Sequence, residues 1–352
     1  MTAGPLRLDK ACPSCGAQVE DTDSFCESCG AELAPPAVST PPPEYTAECP
    51  VCSVDPASPP AAISAEGYCE SCGRMVPSGR DHSELDLGLL AGATDRGLRH
   101  ARNEDAMALA ATDTPGGPVA IAVVCDGVST SPRPDEASLA AAQAAVRALL
   151  TSVRRGEDRA EASLTAVRLA YQALAGLGSR GQAPSTTYVS AVIDSDAITV
   201  CWLGDSRAYW LAAGSGARRL STDDSVAEEM VAAGRLAEAD ALASPHAHVI
   251  TRWLGADLAD PRPHVVRFEP PGPGVVLVCS DGLWNYQPDA AGLAELALPA
   301  ARTDPLGAAT ALIKFALDAG GADNITVVLV PLPLAALAQE PPHPPLSPSG
   351  GE

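Results

Sequence analysis

Apolar residues from about residue 87 onward recur in short runs that end in acidic turns. The run at 119–125 ends in Asp126-Gly127, and the run at 274–279 ends in Ser280-Asp281-Gly282. Short, continuously apolar runs of this kind predict strands that are buried on both faces. Further runs predict successive strands that pair as antiparallel neighbours, the last two joined by a turn at 204–206. These runs occupy 187–193, 197–203 and 207–212.

Helical periodicity is clearest at 135–154 and 157–174. Both segments are rich in Ala, Leu and Arg and carry acidic residues in their first turns, which the helix dipole favours. Shorter helical patterns occupy 225–233 and 306–319, and 324–330 predicts a last strand. Because the strands cluster and the helices are grouped between them, the pattern predicts an α+β layered domain with the two long helices on one sheet face.

The first 86 residues lack this periodicity and repeat pairs of cysteines instead. A CPxC pair followed by an aromatic-CESCG pair occurs twice. Two such pairs present four thiolates to one tetrahedral zinc ion and leave no open position, so each copy predicts a structural zinc site. Buried free cysteines, the alternative, would require four coincidental CxxC pairs. The predicted ligands of the two zinc ions are Cys12, Cys15, Cys26 and Cys29, and Cys49, Cys52, Cys69 and Cys72.

These patterns divide the chain into six segments. Residues 31–48 are rich in Pro and without helical or strand periodicity, so they predict a stiff spacer between modules that need not touch. The expected segments are zinc-ribbon-like modules at 1–34 and 49–76, linkers at 35–48 and 77–86, a large domain at 87–333, and a Pro-rich disordered tail at 334–352.

The net negative charge of the chain limits the classes of molecule that we expect it to bind. The chain has 23 basic and 44 acidic residues and a net charge of -21, and the first 86 residues contain four basic and fourteen acidic residues. A phosphate backbone would repel such a surface, so we expect no nucleic-acid partner and a protein partner for the zinc modules. No apolar stretch approaches the about 20 residues of a membrane span, and the amino terminus lacks a signal sequence. We therefore expect no membrane contact and a cytoplasmic location.

Acidic residues stand at four predicted strand ends or turns. Carboxylates that are brought together repel each other, and the repulsion is relieved by raised pKa values or by divalent cations. Oxygen donors favour magnesium or manganese over zinc. A single Asp-Gly is more often a simple turn, so the prediction rests on the whole set. The set is Asn103-Glu104-Asp105, Asp126-Gly127, Ser280-Asp281-Gly282 and Asp323-Asn324.

The order of motifs from 87 to 333 resembles the metal-dependent protein phosphatases of the PPM type, also called protein phosphatase 2C. The resemblance implies a four-layer αββα fold, in which a central antiparallel β-sandwich is flanked by helix pairs and the metals lie in a cleft at one end. The motifs are TDRG at 94–97, NEDA at 103–106, AIAVVCDG at 120–127, STTYVSAVI at 185–193, GDSRAYWL at 204–211, LSTDDS at 220–225, VITRWLG at 249–255, VLVCSDGLW at 276–284 and GADNITVVLV at 321–330.

The resemblance also implies roles for individual residues. Asp126 would bridge two manganese or magnesium ions, and the backbone carbonyl of Gly127 would bind one of them. Asp281 and Asp323 would complete the shell of the other ion, so these three aspartates form the implied catalytic set. The remaining acids would lie near the metals or serve a third, weaker ion; they are Glu104, Asp105 and Asp205.

The implied activity is single-step hydrolysis of phosphoserine and phosphothreonine in proteins, by attack of a hydroxide that bridges the metals. The zinc modules would dock a partner. A catalytically inactive phosphoprotein-binding scaffold of the same fold is the alternative, although retained acids in an empty cleft disfavour it. A nucleic-acid protein with a passenger domain conflicts with the charge. The lone Cys125, Cys201 and Cys279 lie in apolar strands and are interpreted as core residues rather than nucleophiles.

Two positions depart from the family pattern. His100 stands three residues before Asn-Glu-Asp, where many members carry a phosphate-binding arginine. The phosphate ligand is therefore open among His100, Arg99, Arg102 and water, and a packing role for His100 is an equal alternative. After Asp126-Gly127 the chain continues with Val128-Ser129, without the family's histidine or Met-Gly-Gly. Protonation of the leaving group would then fall to metal-bound water.

Overall fold

The computed structural model describes most of the chain from residue 63 to 334 and short pieces before it. The described residues are 10–11, 17–19, 28, 38–42, 49, 52, 63–64, 67–178, 183–241, 244, 246–255 and 261–334. The first predicted cysteine quartet and residues 335–352 of the predicted tail at 334–352 lie outside these residues. In the part that is described, no helix is both long and apolar enough to cross a membrane.

Most of the strands form two six-stranded antiparallel sheets. The first sheet has the order β14-β10-β9-β7-β6-β3, and the second has the order β12-β11-β15-β16-β5-β4. Two further pairs, β1 with β2 and β8 with β13, stand apart. The strands are β1 (Lys10–Ala11), β2 (Gln18–Val19), β3 (Val38–Ser39), β4 (His82–Asp86), β5 (Ala91–Asp95), β6 (Asp105–Thr114), β7 (Gly117–Asp126), β8 (Ser185–Thr186), β9 (Tyr188–Ile193), β10 (Ile198–Leu203), β11 (Arg207–Leu211), β12 (Arg218–Arg219), β13 (Leu254–Gly255), β14 (His264–Phe268), β15 (Gly274–Cys279) and β16 (Ile325–Leu332).

Several helices begin where the sequence supplies a capping residue. Asp158 caps α2 by accepting hydrogen bonds from Ala160 N and Glu161 N, and Asp304 caps α7 by accepting one from Gly307 N. Such caps satisfy backbone donors that have no partner inside the helix. The helices are α1 (Pro134–Arg154), α2 (Arg159–Leu177), α3 (Val226–Ala232), α4 (Glu238–Ala241), α5 (Asp281–Trp284), α6 (Ala290–Ala301) and α7 (Pro305–Asp318).

Three buried clusters make these elements a four-layer αββα sandwich, as expected. Helices α1 and α2 cover the outer face of the first sheet, α6 and α7 cover the second, and a third cluster fills the space between the sheets. Strand β7 shows why its sequence is continuously apolar. Ile121 and Val123 pack under the helices, whereas Ala122 and Val124 pack between the sheets. A strand that is buried on both faces needs no polar alternation.

One predicted pairing is wrong. Strands β9 and β10 pair as expected, but β11 belongs to the other sheet and pairs with β12 and β15. The turn at 204–206 crosses between the sheets rather than closing a hairpin. Gly204 adopts a positive φ of 99°, which favours glycine, and a Cβ there would lie 3.0 Å from Thr187. Hydrophobic pattern alone does not distinguish a hairpin from a crossing turn.

Parts of both expected linkers belong to the sheets. Within 35–48, Val38–Ser39 form β3, the edge strand that pairs with β6. Thr40 is fully buried, its Oγ1 accepts a hydrogen bond from Met107 N at 2.9 Å, and its N–H donates to Met107 O at 2.9 Å. Within 77–86, His82–Asp86 form β4 at the edge of the second sheet. The sheet domain therefore recruits strands from before residue 87, because edge positions accept short segments of weak intrinsic pattern.

The contact of Thr40 with β6 is testable. We expect Thr40→Val to lower the free energy of unfolding by about 1–2 kcal/mol, since the buried Met107 N–H loses its side-chain acceptor. Urea denaturation followed by tryptophan fluorescence measures this change. Thr40→Ser is the control, because it keeps the hydroxyl and should cost less. Equal stability of the Val variant and the wild type would show that the segment is not docked in solution.

Candidate active site

Two acidic residues meet where β6 begins and β7 ends. Asp105 and Asp126 are directly opposite each other in the register of this antiparallel pair, so their side chains start about 5 Å apart. Asp105 is fully buried. Its Oδ2 accepts hydrogen bonds from Ser280 Oγ and Thr326 Oγ1, each at 2.7 Å. Because both hydroxyls come from the second sheet, these contacts join the two sheets at the acidic end of the sandwich.

Two further acids come from the second sheet. Asp281 is the first residue of α5, directly after β15, and Asp323 lies two residues before β16. Asp281 Oδ2 accepts a hydrogen bond from Asn285 Nδ2 at 3.2 Å. Among the described residues, Asp281 Oδ1 and Asp105 Oδ1 are buried oxygens without a hydrogen-bond donor. Buried carboxylate oxygens without a donor are costly unless a cation or a proton compensates them.

The carboxylates interact electrostatically as one group. Burial raises the pKa of Asp126 well above its usual range, and the charges of Asp105, Asp281, Asp323 and Asp205 raise it further. Burial and the charges of Asp205, Asp323 and Asp105 do the same to the pKa of Asp281. Like charges affect each other in this way only within a shared site. The structure therefore brings together the aspartates that the sequence analysis named.

Burial is also the main cause of the raised pKa values of the neighbouring acids. It raises the pKa of Asp105 to about 6. It raises the pKa of Asp205 to about 7, with a contribution from the charge of Asp223. Burial raises the pKa of Glu104 as well, and the hydrogen bond from Ser129 Oγ opposes the increase. The charged forms of these carboxyls are therefore disfavoured in the folded protein, and a bound proton or a bound cation would relieve that cost.

Gly127 occupies a position without room for a side chain. A Cβ there would lie 2.4 Å from Pro134 O and 2.8 Å from Glu104 O, and the Gly127 N–H donates to Glu104 O at 3.1 Å. The turn after Asp126 is therefore pressed against the start of α1. This packing places the backbone of residue 127 beside the acids, where the sequence analysis expected its carbonyl.

Hydroxyl side chains support the end of β7 from below. Thr187 Oγ1 accepts a hydrogen bond from Asp126 N at 3.0 Å, and Thr186 Oγ1 donates to Asp126 O at 2.8 Å. Thr187 also contacts Ser206 Oγ at 2.7 Å, beside Asp205 in the crossing turn. These contacts fix the backbone of Asp126 at the end of the strand.

Sequence reasoning assigned no role to Asn324, which ties three segments of the site together. Its Oδ1 accepts a hydrogen bond from Glu104 N at 2.7 Å. Its Nδ2 donates to Arg96 O at 2.8 Å and to Arg102 O at 2.9 Å. The signal available in the sequence was the amide next to Asp323. An amide at such a position can donate and accept at once, which a carboxylate cannot do.

The candidate phosphate ligands point to different neighbours. His100 Nε2 lies 3.1 Å from Asp323 Oδ1, so the imidazole is at the acids. The Arg102 guanidinium lies 5.7 Å from the centroid of the Tyr68 ring and 3.9 Å from Asp135 Oδ1. Arg99 is exposed. His100 therefore contacts the cluster directly, whereas Arg102 is tied to the site through its backbone carbonyl, which accepts from Asn324.

The second cysteine quartet is assembled in the structure. Cys49 Sγ lies 3.5 Å from Cys72 Sγ, and Cys52 Sγ lies 3.4 Å from Cys69 Sγ, too far for disulfide bonds. Among the described residues, this is the only group of three or more Cys, His, Asp or Glu whose candidate ligand atoms all lie within 4.8 Å of one another. Four sulfurs at this spacing suit one tetrahedral zinc ion.

The remaining cysteines of the described residues are buried in strands. Burial raises the pKa of Cys201 to about 12 and raises the pKa values of Cys125 and Cys279 in the same direction. Such thiols stay neutral and do not act as nucleophiles at neutral pH. This agrees with their interpretation as core residues.

Comparison with known proteins identifies the family. A family model described as protein phosphatase 2C matches residues 96–311, which is more than half of the chain, and a zinc-ribbon domain model matches residues 12–33. The chain therefore belongs to the protein phosphatase 2C family. The second cysteine quartet lies outside the zinc-ribbon match.

Individual relatives agree with this assignment. The chain is 34% identical over 146 residues to the serine/threonine phosphatase stp of Listeria innocua, a match that covers 41% of this chain and 56% of the relative. The chain thus spans about half the length of the curated relatives that it matches. The PPM Ser-Thr phosphatase MsPP from Mycobacterium smegmatis, solved with cacodylate, is 27% identical with a TM-score of 0.53, covering 70% of this chain and 99% of that one. The catalytic domain of the phosphatase PstP, solved with two manganese ions, is 25% identical with a TM-score of 0.53. The match covers 71% of this chain and 98% of that chain.

The raised pKa values predict how manganese binding depends on pH. Folded Asp105 and Asp205 keep their protons up to about pH 6 and 7, whereas unfolded carboxyls lose theirs near pH 4, so the metal-free fold loses stability as pH rises through this range. Manganese must displace these protons. We therefore expect manganese to raise the melting temperature more at pH 7.5 than at pH 5. Equal shifts at both pH values, measured by scanning calorimetry, would contradict the acid cluster as the binding site.

The quartet predicts a zinc content. We expect the purified full chain to contain about two zinc ions and a Cys69→Ser/Cys72→Ser variant about one, because two thiolates cannot complete a tetrahedral shell. Ser71→Ala is the control, since its side chain is exposed and carries no predicted ligand. Metal analysis by mass spectrometry measures the ratio. An unchanged zinc content in the double cysteine variant would count against the second site.

Proposed function

We propose that this protein is a manganese- or magnesium-dependent serine/threonine protein phosphatase that hydrolyses phosphomonoesters in phosphoproteins. The observation that supports this most strongly is that four aspartates from both sheets converge on one site, namely Asp105, Asp126, Asp281 and Asp323. Burial and neighbouring charges raise the pKa values of the first three. Family membership and the phosphatase relatives support the same conclusion.

The donor set fits hard divalent cations. Asp281 Oδ1 and Asp105 Oδ1 are buried oxygens that lack a donor among the described residues, and oxygen donors prefer manganese and magnesium. We propose that Asp126, the Gly127 carbonyl, Asp281 and Asp323 hold two ions. When bound, the ions would lower the pKa of a coordinated water molecule and neutralise charge on the phosphoryl group. Further proposed positions near the metals, the last of them for a third and weaker ion, are Glu104, Asp105 and Asp205.

Hydrogen bonds from neighbouring side chains would hold the acids of this site in position. Ser280 and Thr326 donate to one oxygen of Asp105 and leave the other for a ligand. Thr186 and Thr187 hold the backbone of Asp126. A pre-organised site of this kind spends little free energy on reorganisation during the reaction. The neutral, buried cysteines favour direct hydrolysis without a covalent phosphoenzyme.

The finer parts of the proposal concern phosphate binding and partners. We propose that His100, Arg99 and Arg102 are the candidates for phosphate contact, with His100 nearest to the acids. Proteins that carry phosphoserine or phosphothreonine are the proposed substrates. A protein partner of the zinc modules is proposed because the first 86 residues are acidic.

An inactive phosphoprotein-binding scaffold of the same fold is the second candidate function, since a folded cleft alone could recognise a partner.

The activity is tested with an isosteric change at the centre of the cluster. We expect Asp126→Asn to reduce manganese-dependent hydrolysis of p-nitrophenyl phosphate and of a phosphothreonine peptide by about a hundredfold or more, because the amide would hold the proposed ions less well than the carboxylate. Asp113→Asn is the matched control, since Asp113 is exposed at the other end of β6. Equal rates in wild type and Asp126→Asn would remove Asp126 from the site. No phosphate release by the wild type would favour the scaffold.

A further inference from the structure

The second cysteine quartet has a very small core of its own. Its buried apolar cluster consists of Cys49, Ile63, Cys69 and Val76. The knuckle is closed by the Cys69 N–H, which donates to Arg74 O at 2.7 Å. So few buried side chains do not stabilise a fold without metal. The position of the residues next to Cys69 therefore depends on the quartet holding its ion.

Tyr68, the neighbour of Cys69, joins this module to the rim of the acidic site. The Arg102 guanidinium lies over the Tyr68 ring at 5.7 Å from its centroid, which is a cation–π distance. The carbonyl of Arg102 accepts a hydrogen bond from Asn324, which also holds the backbone of Glu104. Tyr68 thus supports the side chain of Arg102 while the backbone of Arg102 is tied to the site.

Arg80 anchors the chain that leaves the module. It is only 2% exposed, and its guanidinium donates to Asp105 O at 2.8 Å and to Ser138 Oγ in α1 at 3.0 Å. In return, Asn103 Nδ2 donates to Arg80 O at 3.1 Å. The segment that follows Val76 therefore ends against the backbone of an acid in the site. Displacement of the zinc module would therefore shift both ends of the loop at 102–105, through Tyr68 at one end and Arg80 at the other.

We propose that the second quartet, when it holds zinc, supports the phosphatase site. Its Tyr68 positions Arg102 for contact with the substrate phosphate. The proposal rests on the phosphatase function proposed above. His100 and Arg102 both lie near a carboxylate, Asp323 at 3.1 Å and Asp135 at 3.9 Å, and Arg99 is exposed. Arg102 is chosen because its guanidinium also lies over the Tyr68 ring of the zinc module. An arginine that is held in place loses less conformational entropy when it binds phosphate. Tyr68 is accordingly a positioning residue.

The test compares KM and kcat for p-nitrophenyl phosphate in the full chain at saturating manganese. We expect Tyr68→Ala to raise KM about three- to fivefold with kcat nearly unchanged, as for loss of a partly exposed cation–π contact. Tyr68→Phe keeps the ring and should keep the wild-type KM. In an Arg102→Ala background, Tyr68→Ala should have no additional effect, because the contact is already absent. Tyr68 is 42% exposed, so these variants leave the core intact.

A second variant is measured by zinc content and hydrogen exchange, which do not depend on catalysis, as well as by KM. We expect the Cys69→Ser/Cys72→Ser variant to lose one zinc ion, to raise KM about tenfold through misplacement of the loop at 102–105, and to speed amide hydrogen exchange there. A wild-type KM in Tyr68→Ala, additive effects of Tyr68→Ala and Arg102→Ala, or unchanged exchange in the cysteine variant would each overturn the proposal. If the wild type released no phosphate, the phosphatase function would fail, and hydrogen exchange alone would decide whether the module supports the loop.

Discussion

Repulsion among buried carboxylates is the constraint on which the acidic end of this molecule depends. Asp105 and Asp126 face each other across β6 and β7, and Asp281 and Asp323 approach from the other sheet. Burial raises their interaction energy because the surrounding medium is less polarisable than water. Such a cluster destabilises an empty fold and becomes favourable only with compensating cations. The same electrostatics that make the cluster costly therefore favour the binding of a cation there.

The rest of the sandwich keeps these charges together. The hydroxyls of Ser280, just after β15, and of Thr326 in β16 hold Asp105, and those of β8 and the residue after it hold the end of β7. Apolar contacts between the sheets and under both helix pairs provide the stabilisation that offsets the repulsion. The Ser280 and Thr326 hydroxyls donate to Asp105 without adding charge, so they fix this carboxylate and leave its other oxygen for a ligand.

The amino-terminal region is more closely integrated with this domain than its composition indicates. Val38–Ser39 extend the first sheet, His82–Asp86 extend the second, and Arg80 is buried beside Asp105. Proline-rich and acidic segments have no periodic pattern of their own, so nothing local indicates that they pair. Their conformation follows from unpaired edges of sheets that other residues build.

Local chemistry in the sequence was sufficient for several features. The apolar runs before Asp126 and Asp281 specify strands buried on both faces, the segments after 134 and 158 with acidic residues in their first turns specify helices, and two CxxC pairs specify the second quartet. The order of motifs also identified the family and the aspartates that meet. Tertiary structure alone decided that β11 leaves its predicted neighbour for the other sheet, that His100 contacts Asp323, and that Arg102 lies over Tyr68. The physical reason is range: periodicity and capping act over a few residues, whereas these contacts depend on which sheet edge or loop reaches a given point after the core has closed.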